Sequence, residues 1–270
     1  MKLSRKLVCV DFQGCRMKPA VLRQIPRLCP GLKCLGLASV DLTNDILNEI
    51  AASCPNIVHL DIARNFQITD DEVSSIVQNL VALQSLCIQN VPLLTEASLT
   101  RIQACCAKTL HTLYIGSEYG GQVFTRRAVN DLLEQCTQLK TFSWQQPIGR
   151  NGDVFPLSAT ALRHLSVLHL CGLDIYTMNL EDFAQHAHLL NTLVIKYEPH
   201  HPAVSDVELY QRFKSICTGC PLLREFYIIR MYAKLPESVV QDLQDGTAHL
   251  AVHVHYPHLQ NYALADMVLI

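Results

Sequence analysis

Apolar residues recur along the chain in a short phrase, apolar-x-x-apolar-x-apolar, followed by a longer polar and apolar stretch that often closes on Cys-Pro. One copy reads Leu32-Lys33-Cys34-Leu35-Gly36-Leu37 and closes at Cys54-Pro55; the next opens at Ile57-Val58-His59-Leu60-Asp61-Ile62. Nine copies align by their first apolar residue, at Leu7, Leu32, Ile57, Leu83, Leu110, Leu139, Leu165, Leu190 and Leu223, with spacings of 25, 25, 26, 27, 29, 26, 25 and 33. Inside the phrase the period is two, which predicts a short strand. In the third copy Leu60 and Ile62 point one way, and His59, Asp61 and Ala63 the other. A helix is predicted next. In Ile68-Thr69-Asp70-Asp71-Glu72, Thr69 caps free N–H groups and Glu72 completes a capping box. Ser205-Asp206-Val207-Glu208 repeats the device, and Val73, Ile76, Val77 and Leu80 form one helical stripe.

A strand-turn-helix unit of this size cannot bury its own apolar face, so units must stack. Stacking gives a parallel sheet, and the greater width of helices bends the stack with strands on the concave side. The expected fold is an α/β leucine-rich repeat solenoid, a ribonuclease-inhibitor-like arc with helices on the convex face; spacings of about 20–29 residues are typical of that repeat. All 270 residues are expected to form one domain, with repeats over 7–245 and a degenerate cap over 246–270. Val252-His253-Val254-His255 looks like a terminal strand with its histidines on one face.

Composition narrows the function. Net charge is -2 and the pI is about 6.6, so no broad basic footprint for nucleic acid is present. Arg126-Arg127 reads as solvated helix surface. No stretch approaches the roughly 18 consecutive apolar residues of a membrane span. The apolar run after the basic Met1–Lys6 segment is too short for a secretory signal. A soluble protein of the cytoplasm or nucleus is expected.

The 12 cysteines would suggest disulfides in a small secreted domain, but their phase argues otherwise. Cys29, Cys54, Cys136 and Cys220 each precede a repeat start by three residues, and Cys15 takes the place that Asn65 takes in the third copy. Recurrence at one phase predicts small buried residues at element ends, kept as free thiols in a reducing compartment. The Cys217–Cys220 pair lacks a second pair to complete a zinc site, and Cys105-Cys106 reads as a helix end packed on the next unit.

The strand phrase, Cys15 or Asn65 at the ninth position, the Ile68-Thr69-Asp70 helix start, and the closings Cys29-Pro30, Cys54-Pro55-Asn56-Ile57 and Cys220-Pro221-Leu222-Leu223 resemble the cysteine-containing class of leucine-rich repeat. That class is typical of F-box/LRR proteins, the substrate receptors of Skp–cullin–F-box ubiquitin ligases. The resemblance covers about residues 7–245. It implies a substrate-binding arc acting in ubiquitin-dependent protein degradation. The F-box that docks on Skp normally precedes the repeats; only six residues precede Leu7 and no F-box-like segment follows. Skp–cullin recruitment is therefore expected only if an F-box lies upstream. The alternatives are a relative of the F-box-free Amn-type mitotic-exit antagonists, or a stand-alone scaffold or inhibitor that binds a protein without a ligase.

Side chains that alternate with the leucines should line the hollow: Ser85, Cys87 and Gln89; Thr112, Tyr114 and Gly116; Val167, His169 and Cys171; Thr192, Val194 and Lys196; Glu225, Tyr227 and Ile229. Insertions at Ser117–Gln122, Gln145–Pro156 and Lys196–Val204 follow strands and should project from one rim. Aromatic and basic residues are common anchors. The expected protein-binding residues are therefore Tyr114, Tyr119, His169, Lys196, Tyr197, Tyr227 and Arg230. Trp144, at the last leucine position of its strand, is expected in the core. No G-x-S-x-G, P-loop, H-E-x-x-H or G-x-G-x-x-G occurs. No catalytic residue, cofactor or metal is expected, adjacent His200-His201 being an unusual ligand spacing and His253-x-His255 reading as part of a terminal strand, and the protein is read as a non-enzyme.

Overall fold

The computed structural model describes residues 6–118, 120–121, 124–147, 157–172, 180–197, 206–230, 235–245 and 249–255. These fall into two compact units that meet in sequence at Lys140 and Thr141. The first contains β1 (Cys9–Asp11), α1 (Pro19–Leu22), α2 (Ile25–Leu28), β2 (Cys34–Gly36), α3 (Asn44–Ser53), β3 (His59–Asp61), α4 (Asp70–Asn79), β4 (Ser85–Cys87), α5 (Glu96–Cys106), β5 (Thr112–Gly116) and α6 (Arg126–Gln135). The second contains β6 (Thr141–Gln145), α7 (Ala159–Leu162), β7 (Val167–Cys171), α8 (Leu180–His186), β8 (Thr192–Tyr197), α9 (Asp206–Gly219), β9 (Glu225–Arg230), α10 (Glu237–Asp245) and β10 (Ala251–His255). Each unit is a run of strand–helix repeats, and the fold is an α/β leucine-rich repeat solenoid.

Strands pair in parallel and in chain order within each unit. Val10, Leu35, Leu60, Leu86 and Leu113 stand in register across β1 to β5. Phe142, Leu168, Leu193, Phe226 and Val252 do so across β6 to β10. The aligned first apolar residues from Leu32 to Leu223 are all buried, as the period requires. The buried Leu250 leads into β10, which pairs on β9 with Val252 and Val254 opposite Phe226 and Ile228. The strand expected over Val252–His255 is thus a tenth repeat strand.

The Cys-Pro ending has a local cause. In the tight turns before β2, β3 and β9, the carbonyls of Cys29, Cys54 and Cys220 accept from the N–H groups of Leu32, Ile57 and Leu223 at 3.3, 3.2 and 3.1 Å. Proline follows each cysteine at the second turn position, where its fixed φ suits a type I turn. Leu80 makes the same turn to Leu83 without proline, which leaves Val81 74% exposed. The four phased cysteines Cys29, Cys54, Cys136 and Cys220 are fully buried. Burial pushes Cys136 and Cys220 up to about 11, and Cys106 and Cys217, which also feel neighbouring thiols, up to about 12. These thiols are inert filler. Two expectations need correction. Cys105 is exposed and only Cys106 packs inward. Cys15 is also exposed: its counterpart Asn65 is buried against the preceding repeat, and among the described residues no repeat precedes β1.

Neighbouring repeats are tied at two levels. The Asn65 amide donates to the carbonyls of Leu37, Ile62 and Ala63 at 2.8, 2.9 and 3.2 Å, and its Oδ1 accepts from Leu42 N–H at 2.9 Å. At the helix starts, the Glu72 carboxylate accepts from the Thr69 N–H at 3.0 Å, the expected arm of the capping box. Ser205, the matching start in the second unit, lies outside the described residues. Acids also reach forward. Asp70 accepts from Thr95 N–H at 2.9 Å and Oγ1 at 2.6 Å, and from both Ser98 groups, so it caps α5 of the next repeat. Glu96 accepts from Thr125 N–H at 3.0 Å at the start of α6.

Burial alone would raise Asp70, but the hydrogen bonds from Ser98 and Thr95 outweigh it and hold the carboxyl below its ordinary 3.8. A depressed folded value makes the contribution complete above the unfolded value and lost as pH falls through the folded one. Asp70→Ala is therefore expected to cost about 1–2 kcal/mol at neutral pH, with the difference from wild type shrinking below pH 3.8. Urea midpoints at neutral and acid pH test this; a pH-independent difference would rule out the ionised cap.

Candidate functional site

On the side of each sheet away from the leucines, side chains form rows set by register. In the first unit one row is Cys9, Cys34, His59, Ser85 and Thr112, and the next is Asp11, Gly36, Asp61, Cys87 and Tyr114. Gly36 leaves room for the Asp11 carboxylate, which would collide with any Cβ there. Burial, and to a lesser extent the Asp11 charge, raises Asp61 above the usual carboxylate value, against the pull of hydrogen bonds from Ala63 N–H and the Cys87 side chain. Burial and Asp61 push the Cys87 thiol up, the opposite of what a nucleophilic cysteine needs. Tyr114, an expected binding residue, ends this row half-buried, its hydroxyl raised by burial and by Cys87 and Asp61.

In the second unit the rows are Ser143, His169, Val194, Tyr227 and His253, and Gln145, Cys171, Lys196, Ile229 and His255. Half of these two rows is closed. Ser143, His169, Val194, Gln145 and Cys171 are all buried, His169 to 6% exposure. Burial lowers His169 to about 4, so the imidazole is neutral at physiological pH and is a core residue, not a surface anchor. Tyr197 and Arg230 also need correction. Each stands on the leucine parity of its strand, in register with the other, and they are 1% and 6% exposed. The Tyr197 ring packs on Phe213 of α9 at 6.2 Å, inside the core and not on the rim. Tyr119 lies outside the described residues. Trp144 is buried, as its leucine position requires.

Lys196 and Tyr227 remain partly exposed, and the fold brings them companions. The Tyr227 ring stacks on His253 at 4.6 Å and 16°, and lies nearly parallel to His255 at 6.1 Å. The Glu225 carboxylate meets His253 Nε2 at 2.8 Å, each side chain 40% exposed. Burial, then Glu225, raises the Tyr227 hydroxyl; burial and the charge of His253 lower His255. The candidate site is this aromatic and imidazole platform, with Glu225 and Lys196 at its borders. Sequence reading placed the histidines on one face but left them out of the site, because only β10 pairing on β9 sets them beside Tyr227.

Among the described residues no three His, Cys, Asp or Glu side chains converge as a metal site. No helix there is long and apolar enough to cross a membrane.

No family model matches the sequence, and no curated protein matches it. Two solved structures align with it over most of its length. Superposition on a chain of the yeast Rad7–Elc1 complex covers 92% of this chain and 76% of that one, at 15% identity and a TM-score of 0.50. A chain of the TLR13–ssRNA13 complex aligns over 93% of this chain and 33% of its own length, at 15% identity and a TM-score of 0.49. This chain thus spans about a third of that second protein. At 15% identity the likeness to the Rad7–Elc1 chain is one of fold.

Proposed function

We propose that the protein is a non-enzymatic recognition module that holds a protein target on its sheet face, anchored in the second unit by Tyr227 and Lys196 with His253 and His255. The observation that carries this reading is the stacked, partly exposed Tyr227–His253–His255 platform on the open side of β9 and β10. A pre-ordered aromatic surface loses little entropy on binding and suits an anchor role. Tyr114 is a separate candidate contact within the first unit. The cysteine-phased repeats, by their resemblance to F-box/LRR proteins, support a finer reading: the substrate-binding part of an SCF-type receptor in ubiquitin-dependent degradation, acting in cytoplasm or nucleus. Free thiols throughout the described residues fit a reducing compartment. The same face would equally serve a scaffold or inhibitor that recruits no ligase.

The experiment begins with partners cross-linked to the chain in cells and identified by mass spectrometry. Against the purified partner, Tyr227→Ala with Lys196→Ala is expected to weaken affinity by about tenfold or more. Arg127→Ala, on an exposed helix surface, should leave it unchanged. Equal affinity for all three forms would overturn the surface assignment. Co-purification of Skp and cullin, with faster turnover of the partner, supports the ligase reading; partner binding with neither supports the scaffold.

A further inference from the structure

Most thiols of this chain are closed off as core residues, but on the open face Cys9, Cys34 and Cys87 are not, and the first two are neighbours. Cys9 of β1 and Cys34 of β2 are register partners, so their Cβ atoms leave the sheet on the same side. Cys9 is exposed and Cys34 half-buried, and burial and the neighbouring Cys9 both raise the Cys34 thiol. Parallel neighbours lie about 4.7–4.9 Å apart, inside the 4.4–6.8 Å Cα window of a disulfide and slightly wide of its usual Cβ spacing of about 3.8 Å. Closure therefore needs a sideways shift of about 1 Å. Strand β1 can give, because among the described residues it has β2 as its one paired neighbour. We propose that Cys9 and Cys34 are a reversible oxidation site, a cross-strand dithiol that peroxides convert to a disulfide.

The chemistry balances with hydrogen peroxide as oxidant. The exposed Cys9 sulfur, as thiolate, attacks one peroxide oxygen; the O–O bond breaks, and the sulfur becomes a sulfenic acid as hydroxide leaves and is protonated to water. The Cys34 sulfur, losing its proton, then attacks the sulfenic sulfur. The S–S bond forms, the S–O bond breaks, and a second water leaves. Lys33 beside Cys34 favours its thiolate, against burial and Cys9. A bond held at sheet spacing is one that small dithiols reduce readily. The alternatives for Cys9 are poorer. Cys15 and Cys105 are exposed but neither is a register partner of another cysteine, and Cys87 stands in the neighbouring row, on β4.

The test uses the full, reduced chain treated with submillimolar hydrogen peroxide at neutral pH, then alkylated under denaturing conditions. The expected result is a loss of two alkylatable thiols and a linked pair of tryptic peptides, Leu7–Arg16 with Cys34–Arg64. Dithiothreitol should reverse it. The link should persist in Cys15→Ser and Cys54→Ser, which exclude the other cysteines in those peptides, and vanish in Cys9→Ser. In Cys34→Ser, Cys9 should be trapped as sulfenic acid by dimedone. The proposal falls if Cys9 and Cys34 stay alkylatable while other thiols oxidise, if the link survives in Cys9→Ser, or if it runs through Cys15 or Cys54. None of these results depends on whether a protein partner binds the sheet face.

Discussion

Asn65→Ala is expected to lower the stability of the protein by about 3 kcal/mol or more, one of the largest effects open to a polar side chain here. The residue is fully buried and makes four hydrogen bonds to backbone, one to each of Leu37, Leu42, Ile62 and Ala63. Alanine would leave these peptide groups without that partner where water cannot readily replace it, at about 1–3 kcal/mol for a buried group left unsatisfied. Leu37 and Leu42 belong to the preceding repeat, so the loss is one of stacking as much as of turn geometry. Asn65→Asp separates the two arms. It keeps an acceptor for Leu42 N–H but turns a carboxylate toward three carbonyl oxygens, so it should be at least as damaging as alanine. Urea unfolding followed by circular dichroism measures both. A loss under about 1 kcal/mol for either would mean that the repeat closes without this side chain.

Phe213→Ala should cost the second unit about 3–5 kcal/mol, the usual range for deleting a buried ring. Phe213 lies fully buried on α9, edge-on to Phe226 of β9 at 5.6 Å and tilted against Tyr197 of β8 at 6.2 Å. One ring thus holds a helix to two strands, and its removal opens a cavity that backbone on three elements would have to fill. The sole tryptophan, Trp144, is buried in this unit and supplies the fluorescence signal. Phe213→Leu should recover part of the loss. Indistinguishable midpoints for alanine and wild type would refute the packing argument.

The leucine phrase and the Cys-Pro ending were legible because each residue type there answers to one local demand. Leucines must face the helices once per strand, and proline suits the second position of the turn that returns the chain. Trp144 was legible for the same reason, since its position outweighs its chemistry. The surface was less so. Parity tells which side of a sheet a residue takes, not whether that side is covered: His169 and Val194 have the open-face parity and are buried. Tyr197 and Arg230 look like anchors by chemistry, yet both have the leucine parity and lie inside. Forward capping was hidden differently. Asp70 and Glu96 read as ordinary first-turn acids of their own helices, and their service to Thr95, Ser98 and Thr125 depends on which repeat stacks beside which. The Tyr227 platform required the same knowledge, because its rings come from residues 28 or fewer positions apart on two strands.

Forward capping also sets where the chain can be cut and rejoined. A segment excised from leucine to Cys-Pro would carry away the acid that its successor's helix needs and leave its own helix start without an acceptor upstream. The module that can be duplicated or transplanted in the first unit is therefore offset from the visible motif. It runs from one acid at a helix start to the hydroxyl pair that the acid receives, as from Asp70 to Ser98. Lineages that gain or lose repeats here should break the chain within those bounds only when both members are copied together.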